Sequence, residues 1–362
     1  GTFKRKNHLF NTGASTLVGL EDNMPLGKVF KFLGLQKPRV KKLEVPMVVC
    51  VGDKVIRRYS EKEKAIAELE ENFKYDNLKS TWDEVFLISD TNWQNIYKIL
   101  PINYHNLPLL FEKFAKNYKY IIKTLPYQLQ TSYDFFKRRL GNFNDDFKKF
   151  LDNQILMTSQ GYSEEVSIFI GSMGLTYPNL DNYYVYGGMG KVFDYLALDH
   201  KNIFLKHKAV KIKKIKDYFK VITDKGIFEA KRVILNKTIW DYCDIVEELK
   251  EECEKNREKY NKIWSSLTIY FTLEDRHDLI NEYHYQIIHG DVNPFTGSNS
   301  FFVSISDKDD EDLTKDGKKS VTISTHCRIS LWKNLDKEKY IDNKEKAKDF
   351  ILNRLIEYIP SF

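Results

Sequence analysis

Residues 184–241 constrain the fold of this chain more than any other stretch. A glycine turn at 186–190, YGGMG, is expected to lead into a short helix, and a strand is predicted at 209–212. Glycines permit a tight turn, and the start of a helix offers free N–H groups. The β-branched run at 232–236, RVILN, is typical of a strand buried on both faces. This order of elements predicts the inner part of an α/β domain of the dinucleotide-binding type.

Length and composition favour a protein of two domains. A chain of 362 residues, 30% charged and 42% hydrophobic, is long enough for two substantial cores. The net charge of +6 is spread along the chain with acids between the lysines, so no nucleic-acid partner is predicted. The 24 Phe, 22 Tyr and 5 Trp have two explanations, an AT-rich genome or an apolar cavity lined with rings.

The cysteines and the hydropathy pattern indicate the cellular compartment in which the protein is expected. Cys50, Cys243, Cys253 and Cys327 lie far apart and lack metal-ligand spacing, so we expect no metal site and four free thiols in a reducing compartment. No run has the apolar length of a membrane span, and no signal peptide is visible. A cytoplasmic location is therefore expected.

The chain alternates between two predicted bodies. Residues 1–45 and 161–245 carry the nucleotide-type elements, with a helical pattern continuing over 161–198. Residues 46–160 and 246–362 form a substrate domain, helical from 60 to 156 and rich in strands after 265. The predicted fold class is thus mixed α/β (α+β): an incomplete Rossmann-like domain interleaved with a helix-plus-sheet domain. Such a layout places a pocket at the interface between the domains.

Glycine-containing turns define three element ends. Hairpins are predicted to turn at Gly52-Asp53 and at 224–226, and a helix predicted over 26–33 is expected to end at Gly34.

Two further local features add detail to this division. Ser60 and Glu63 predict a capping box at the first helix of the helical region. The acidic stretch at 307–318 is predicted to be a surface loop between strands.

Several motifs occur together in a fixed order. They are FKRK at 3–6, FNTG at 10–13, the turn at 186–190, the strand at 230–236 with Trp240 and Asp241, FFVSIS at 301–306 and STH at 324–326. In this order the chain resembles the phytoene desaturase and carotenoid isomerase family of FAD-dependent oxidoreductases. Retinol saturases are relatives within the wider amine-oxidase-like group of flavoproteins. The resemblance covers nearly the whole chain.

The resemblance implies a set of FAD-binding residues. They are Arg5, Gly13, Ala14, Ser15, Val210 and Asn236. The turn at 13–16 corresponds to backbone that passes close to the flavin ring, where a missing Cβ allows a close approach. Arg5 would face the phosphates or ribose, or else belongs to a solvated basic cluster.

The remaining two positions belong to the adenosine side. Val210 lies where the family's backbone pairs with adenine. Asn236 ends the predicted strand at its carboxyl end, where α/β sheets place ligands, or simply caps that strand. The glycines at 187, 188 and 190 are expected to shape the domain crossover rather than to contact phosphate.

No catalytic constellation stands out. His326 could donate a proton or simply be hydrogen-bonded, and Trp332 lies near it in sequence. We find no Ser-His-Asp, paired-carboxylate or metal pattern, and the catalytic residues stay unassigned. A flavoenzyme is compatible with this, because the cofactor supplies the difficult chemistry.

The chain departs from the family pattern. It lacks the G-x-G-x-x-G turn with its strand and acidic residue, and also the closing glycine-rich segment. Asn11 stands where relatives usually carry Asp, and Asn7 stands where they often carry Gly. We therefore expect missing segments or a partner polypeptide to complete the FAD site. The chain would then be a fragment or one half of a split flavoprotein, inactive alone.

The function implied for the complete protein is oxidation or cis-trans isomerisation of an apolar polyene of the carotenoid type. Alternatives are a flavoenzyme acting on retinol or an amine. Carotenoids reside in bilayers, so peripheral membrane contact is a further expectation. The helix predicted at 110–125 sets aromatic residues against lysines; it would lie in a membrane interface or pack on its own domain.

Overall fold

The computed structural model describes residues 1–13, 15–99, 106–198, 200–238, 241–259, 263–274 and 282–359, with the backbone alone for 96–99. The strands are β1 (Thr2–Arg5), β2 (His8–Asn11), β3 (Thr16–Val18), β4 (Val40–Lys42), β5 (Met47–Val51), β6 (Lys54–Arg58), β7 (Asn182–Val185), β8 (Ala209–Ile215), β9 (Tyr218–Thr223), β10 (Ile227–Ala230), β11 (Trp264–Glu274), β12 (His284–Ile288), β13 (Ser300–Ile305), β14 (Thr314–Lys315) and β15 (Lys318–Arg328). The helices are α1 (Pro25–Leu33), α2 (Lys62–Asn72), α3 (Leu78–Ile99), α4 (Leu107–Lys116), α5 (Tyr118–Gln128), α6 (Ser132–Leu140), α7 (Asp145–Ser159), α8 (Ile168–Leu175), α9 (Gly190–Ala197), α10 (Lys250–Lys259) and α11 (Lys337–Tyr358). Short 3₁₀ turns lie at Tyr177–Asn179, Glu247–Leu249 and Ile329–Leu331.

The central sheet joins distant parts of the chain. Its strand order is β11-β15-β13-β12-β5-β6, with β14 on β15. Neighbouring strands are antiparallel except β12 and β5, which run parallel with Tyr285 opposite Val48. Helices α2, α3 and α6–α8 pack on one face and α11 packs on the other. Parallel neighbours need a long connection, and here the helical region supplies part of it.

Aromatic side chains fill the core between the sheet and the helices. Phe73, Phe136 and Phe147 are buried and contact one another or nearby rings edge-on. Each buried ring removes a large apolar area from water. Part of the aromatic enrichment is therefore explained by the core.

Within the described ranges, three smaller sheets accompany the central one. β1 pairs with β2, β7 lies between β3 and β4, and β9 lies between β8 and β10. The predicted hairpin turn at 224–226 is confirmed, as is the end of α1, where Gly34 adopts φ 65°. The helix expected after the glycine turn is α9. The helical pattern expected over 161–198 is wrong in part, because β7 interrupts it.

The strand predicted at 232–236 is absent. This segment forms no regular structure, and Ile234 is 94% exposed, while Val233 and Leu235 are partly buried against the cluster around Cys243. A strand buried on both faces needs paired neighbours and covering layers. No described strand pairs with 232–236, so the apolar residues of this segment do not form a strand buried on both faces.

Two further expectations are corrected. Helix α2 begins after Glu61, with no side-chain cap, so the capping box at Ser60 is wrong. Cys243 and Cys253 form a disulfide, whereas Cys50 and Cys327 are free and buried. The pair comes together because α10 turns Cys253 back towards the preceding loop, which spacing alone does not reveal.

Candidate functional site

A cavity of about 560 Å³ lies between the helix-facing side of the central sheet and the segment at 13–16. The sheet contributes His284, Phe302, Ser304, Thr322, Ser324 and His326, and other lining residues include Met47, Met157, Thr158, Tyr177 and Asn182. No described lining residue is Asp, Glu, Lys or Arg. The cavity is therefore apolar, with neutral hydrogen-bonding groups, which suits an uncharged ligand.

Two of the predicted cofactor residues line this cavity. A Cβ placed on Gly13 would meet no atom within 4 Å, so the backbone there faces open space. Ser15 is 8% exposed, and its hydroxyl donates to the Gly13 carbonyl at 3.2 Å. Beside it the Thr16 hydroxyl lies 3.5 Å from the hydroxyl of Tyr177. Ala14 lies outside the described residues.

Arg5 lies elsewhere. It is exposed at the end of β1 and lines a separate cavity of about 780 Å³, against β11 and the side chains of Lys344 and Lys348. The structure therefore does not bring Arg5 together with Gly13 and Ser15.

Val210 and Asn236 also lie away from the cavity at Gly13. Val210 is 43% exposed and falls in a register shift of β8 between Ala209 and Lys211, so it has no partner in the β8–β9 register. A bulge of this kind leaves one residue outside the ladder. Asn236 is exposed in the irregular segment at 232–236. For both, contact with a cofactor stays a prediction.

Protein atoms occupy the space next to the glycine turn at 186–190. Gly187 and Gly188 have φ of 76° and 80°, and a Cβ on Gly188 would lie 2.6 Å from the Thr2 methyl group. The Asn11 side-chain oxygen accepts from the Met189 N–H at 2.8 Å. These glycines permit the β1–β2 hairpin to pack closely on the turn.

The acidic stretch at 307–318 is not simply a surface loop, because Asp307 and Asp310 are each only 2% exposed. Asp310 accepts from the Tyr184 hydroxyl at 2.8 Å and from the Gly187 N–H at 2.9 Å. Asp307 accepts from the Tyr283 hydroxyl at 2.6 Å. The two carboxylates connect the glycine turn to the central sheet. The sequence does not indicate this role, because an acidic stretch of this kind is typical of a solvated loop.

Asp307 and Tyr283 influence each other's ionisation. Burial raises the pKa of Tyr283 to about 12, and the hydrogen bond to Asp307 adds to this shift. Burial also acts to raise the pKa of Asp307, but hydrogen bonds from Tyr283, Lys41 and the Asp309 N–H outweigh it and the net pKa is lowered.

Of the described lining residues, two are histidines, and they lie at different positions in the cavity. Burial lowers the pKa of His284 and of His326 to about 4, so both rings are neutral near pH 7. The sequence drew attention to His326 but not to His284, which opens β12 without any motif around it. Trp332 does not line this cavity; its indole N–H donates to the Phe295 carbonyl at 2.9 Å.

The chain has the fold of known oxidoreductases. No protein-family model matches it, and no curated protein does. An oxidoreductase from Methanosarcina mazei superposes with a TM-score of 0.59 at 16% identity, over 99% of this chain and 75% of its own. Putrescine oxidase bound to putrescine gives a TM-score of 0.57 at 14% identity, over 99% and 73%. The CLA-producing fatty acid isomerase from P. acnes gives a TM-score of 0.50 at 11% identity, over 96% and 73%. At these identities the likeness concerns the mixed α/β fold.

Proposed function

We propose that this chain belongs to an FAD-dependent oxidoreductase acting on an apolar, uncharged substrate of the polyene type, as a carotenoid desaturase or cis-trans isomerase does. The observation that carries the proposal is the cavity at Gly13. It is apolar, it has no charged lining residue among those described, and Gly13, Ser15 and Thr16 of the segment that resembles a flavin-contacting turn line it. The fold shared with oxidoreductases supports it.

The described residues fit one part of FAD. The open backbone at Gly13 has room for a flat ring, and Ser15 lies beside it. The register shift leaves Val210 without a partner in the β8–β9 register, and the proposal places its backbone beside adenine. When bound, FAD would supply hydride or electron transfer. The chain's own residues would enclose the substrate, exclude water and hold neutral hydrogen-bonding groups around it.

The described residues form no binding site for the phosphates of FAD. The turn at 186–190 is packed against Thr2 and Asn11, and the sequence has no G-x-G-x-x-G turn. The proposal therefore includes a further segment or a partner polypeptide that supplies the phosphate site, and the chain without it would be inactive.

The cavity favours a polyene or an alcohol such as retinol over an amine. A buried ammonium group requires a paired carboxylate or a comparable counter-charge. None of the described lining residues carries one. An amine-oxidase-like activity on a charged diamine is therefore the weaker alternative.

Replacing Gly13 with valine tests the cofactor contact. We expect the full gene product to carry FAD, and Gly13→Val to weaken FAD binding by at least about tenfold, which corresponds to about 1.4 kcal/mol. A Cβ at this position meets no atom of the described residues within 4 Å, apart from its chain neighbours, so the loss would reflect the cofactor. Flavin absorbance after purification and titration with FAD measure it.

Gly226→Val is the matched control. Gly226 lies in the β9–β10 turn, and a Cβ there also meets nothing within 4 Å. We expect unchanged flavin content for this variant. A full gene product that ignores added FAD would contradict the proposal, and so would a Gly13→Val variant that binds FAD like the wild type. Product analysis with phytoene, poly-cis-lycopene, retinol and putrescine then separates the substrates.

Helices α4 and α5 carry an exposed apolar and basic surface, which supports peripheral membrane contact. α4 buries none of its residues, and Phe111 and Ile122 are 71% and 65% exposed. Lys116, Lys119 and Lys123 are exposed on the same two helices. This exposure argues against packing of the helix pair entirely on its own domain. No helix among the described residues is long and apolar enough to cross a bilayer.

We expect the double variant Phe111→Ser, Ile122→Ser to lose at least about tenfold in vesicle affinity, because each buried side chain of this size contributes about 1.5–3 kcal/mol. The measurement is co-sedimentation with phosphatidylcholine vesicles, with and without phosphatidylserine. Phe32→Ser is the control, since Phe32 is 88% exposed on α1, apart from this surface. Equal binding by all three proteins would exclude this surface as the contact.

A further inference from the structure

His284 has an unsatisfied nitrogen beside the cavity at Gly13. The residue is 7% exposed, and its Nδ1 lies 3.1 Å from the Ser304 hydroxyl. Its Nε2 is buried and has no hydrogen-bond partner among the described residues. A buried polar atom left without a partner costs about 1–3 kcal/mol, so Nε2 calls for a partner from outside the protein.

Two other lining residues have the same property. Asn182 is fully buried; its amide N–H₂ donates to three backbone carbonyls, including that of Leu180 at 2.8 Å, while its side-chain oxygen is unpaired. His326 has an unpaired Nδ1. For both atoms, the hydrogen-bond partner is absent among the described residues. Three unsatisfied side chains around one cavity indicate a ligand that is not purely hydrocarbon.

His284 marks the end of the cavity closest to the N-terminal segment. His284 lies opposite Ser304, and Ser304 lies opposite Thr322, in one row across three strands. The Thr322 hydroxyl donates to the Asn11 carbonyl at 3.3 Å. Ser15 shares a small adjoining cavity with Ser304 and Thr322. Thus the unsatisfied imidazole lies on the Gly13 side of the chamber.

His326 marks a different position along the sheet. It is four residues beyond Thr322 on β15, and β13 separates β15 from β12. At about 3.3 Å per residue and 4.8 Å per strand, the two histidine backbones are about 16 Å apart. The cavity is therefore long enough for an extended chain with a polar end.

The charge state of His284 restricts the ligand. Because burial lowers its pKa to about 4, the ring is neutral near pH 7. With Nδ1 engaged by Ser304, Nε2 offers a single neutral hydrogen bond, as donor or acceptor according to the tautomer. A carboxylate would lack the cationic partner that a buried charge needs.

We propose that the cavity binds an elongated apolar molecule bearing one uncharged hydroxyl or carbonyl group, and that His284 Nε2 binds this group at the end next to Gly13. The inference rests on the proposed function in taking this cavity as the substrate chamber. His284 is then a specificity residue that touches the substrate and fixes its direction in the chamber. A pure hydrocarbon would leave Nε2 unpaired.

The test compares two probes that differ only in the hydroxyl group. They are all-trans-retinol and the hydrocarbon with a methyl group in place of its hydroxymethyl group. Affinities are measured by quenching of tryptophan fluorescence, without flavin. We expect the full gene product to bind retinol at least tenfold more tightly than the hydrocarbon. In His284→Phe the preference should disappear, while the affinity for the hydrocarbon changes less than twofold.

His289→Phe is the matched control. His289 is 2% exposed, has an unpaired Nδ1 among the described residues, and follows β12, but it does not line this cavity. Its replacement should leave the preference for retinol intact. His284→Gln retains hydrogen-bonding capacity and should keep part of the preference, which covers the case in which His284→Phe fails to fold.

Three results would overturn the inference: wild type without a preference, a preference that survives in His284→Phe, or binding of neither probe. Since the assay contains no flavin, it can succeed while the FAD proposal fails, and it can fail while Gly13→Val still shows an FAD site.

Discussion

Replacing Gln154 with leucine is expected to lower the free energy of unfolding by about 3–5 kcal/mol, the range for removing the partner of a buried charge. Arg58 is 2% exposed, and no described carboxylate pairs with it. Its Nη1 donates to the Gln154 side-chain oxygen and its Nη2 donates to the Leu175 carbonyl at 2.6 Å. Leucine removes the first acceptor and also leaves Gln286 without the hydrogen bond from Gln154.

The surroundings of Arg58 explain why water cannot replace the hydrogen bond that is lost with Gln154. Burial lowers its pKa to about 9, which reflects the cost of its charge in this position. The guanidinium lies 5.9 Å from the Trp82 ring centre and 5.2 Å from that of Phe150. These rings attract the cation but accept no conventional hydrogen bond.

The measurement is urea unfolding followed by circular dichroism. Gln94→Leu, at an exposed position of α3, is the control and should change stability by less than about 0.5 kcal/mol. The double variant Arg58→Met, Gln154→Leu should regain much of the loss, because removing both partners of a buried polar pair is often nearly neutral. A Gln154→Leu protein as stable as the wild type would show that Arg58 does not depend on this contact.

Local elements of the fold could be predicted because their determinants are close in sequence. The β5–β6 hairpin turns at Gly52, which has φ 58°, and α1 ends at Gly34 in the left-handed region. The run at 232–236 shows the limit of such patterns. Its apolar residues predict burial, but burial requires partners, and a pattern does not reveal whether those partners are present.

The lining of the candidate cavity was indicated by the sequence where a motif exists, but not where only the fold brings residues together. Gly13 and Ser15 were indicated by their motif, and both line the cavity. His284 and Asn182 come to the same cavity from separate strands of different sheets, with ordinary sequence around each. Asp310 likewise became visible only through its contacts with Tyr184 and Gly187.

Acidification from pH 7 towards pH 4 is expected to destabilise the protein. Burial lowers the pKa of His284, His289 and His326 to about 4, whereas unfolded histidine titrates near pH 6.5. Between these values the unfolded state binds more protons, so stability falls as the pH falls. Each such histidine contributes up to about 1.4 kcal/mol per pH unit. Asp307, with its lowered pKa, loses its contribution only below about pH 4.

The variant His289→Phe isolates one of these contributions. Between pH 6 and pH 5, the slope of the unfolding free energy against pH should decrease by about 1 kcal/mol per pH unit relative to wild type. Ile288→Val is the control: Ile288 is 1% exposed and does not titrate, so its replacement should lower stability by about 1 kcal/mol equally at each pH. Parallel slopes for wild type and His289→Phe would exclude His289 as a source of the acid sensitivity. A reduced slope would show that the ring is held neutral by burial, as it is at the cavity residue His284.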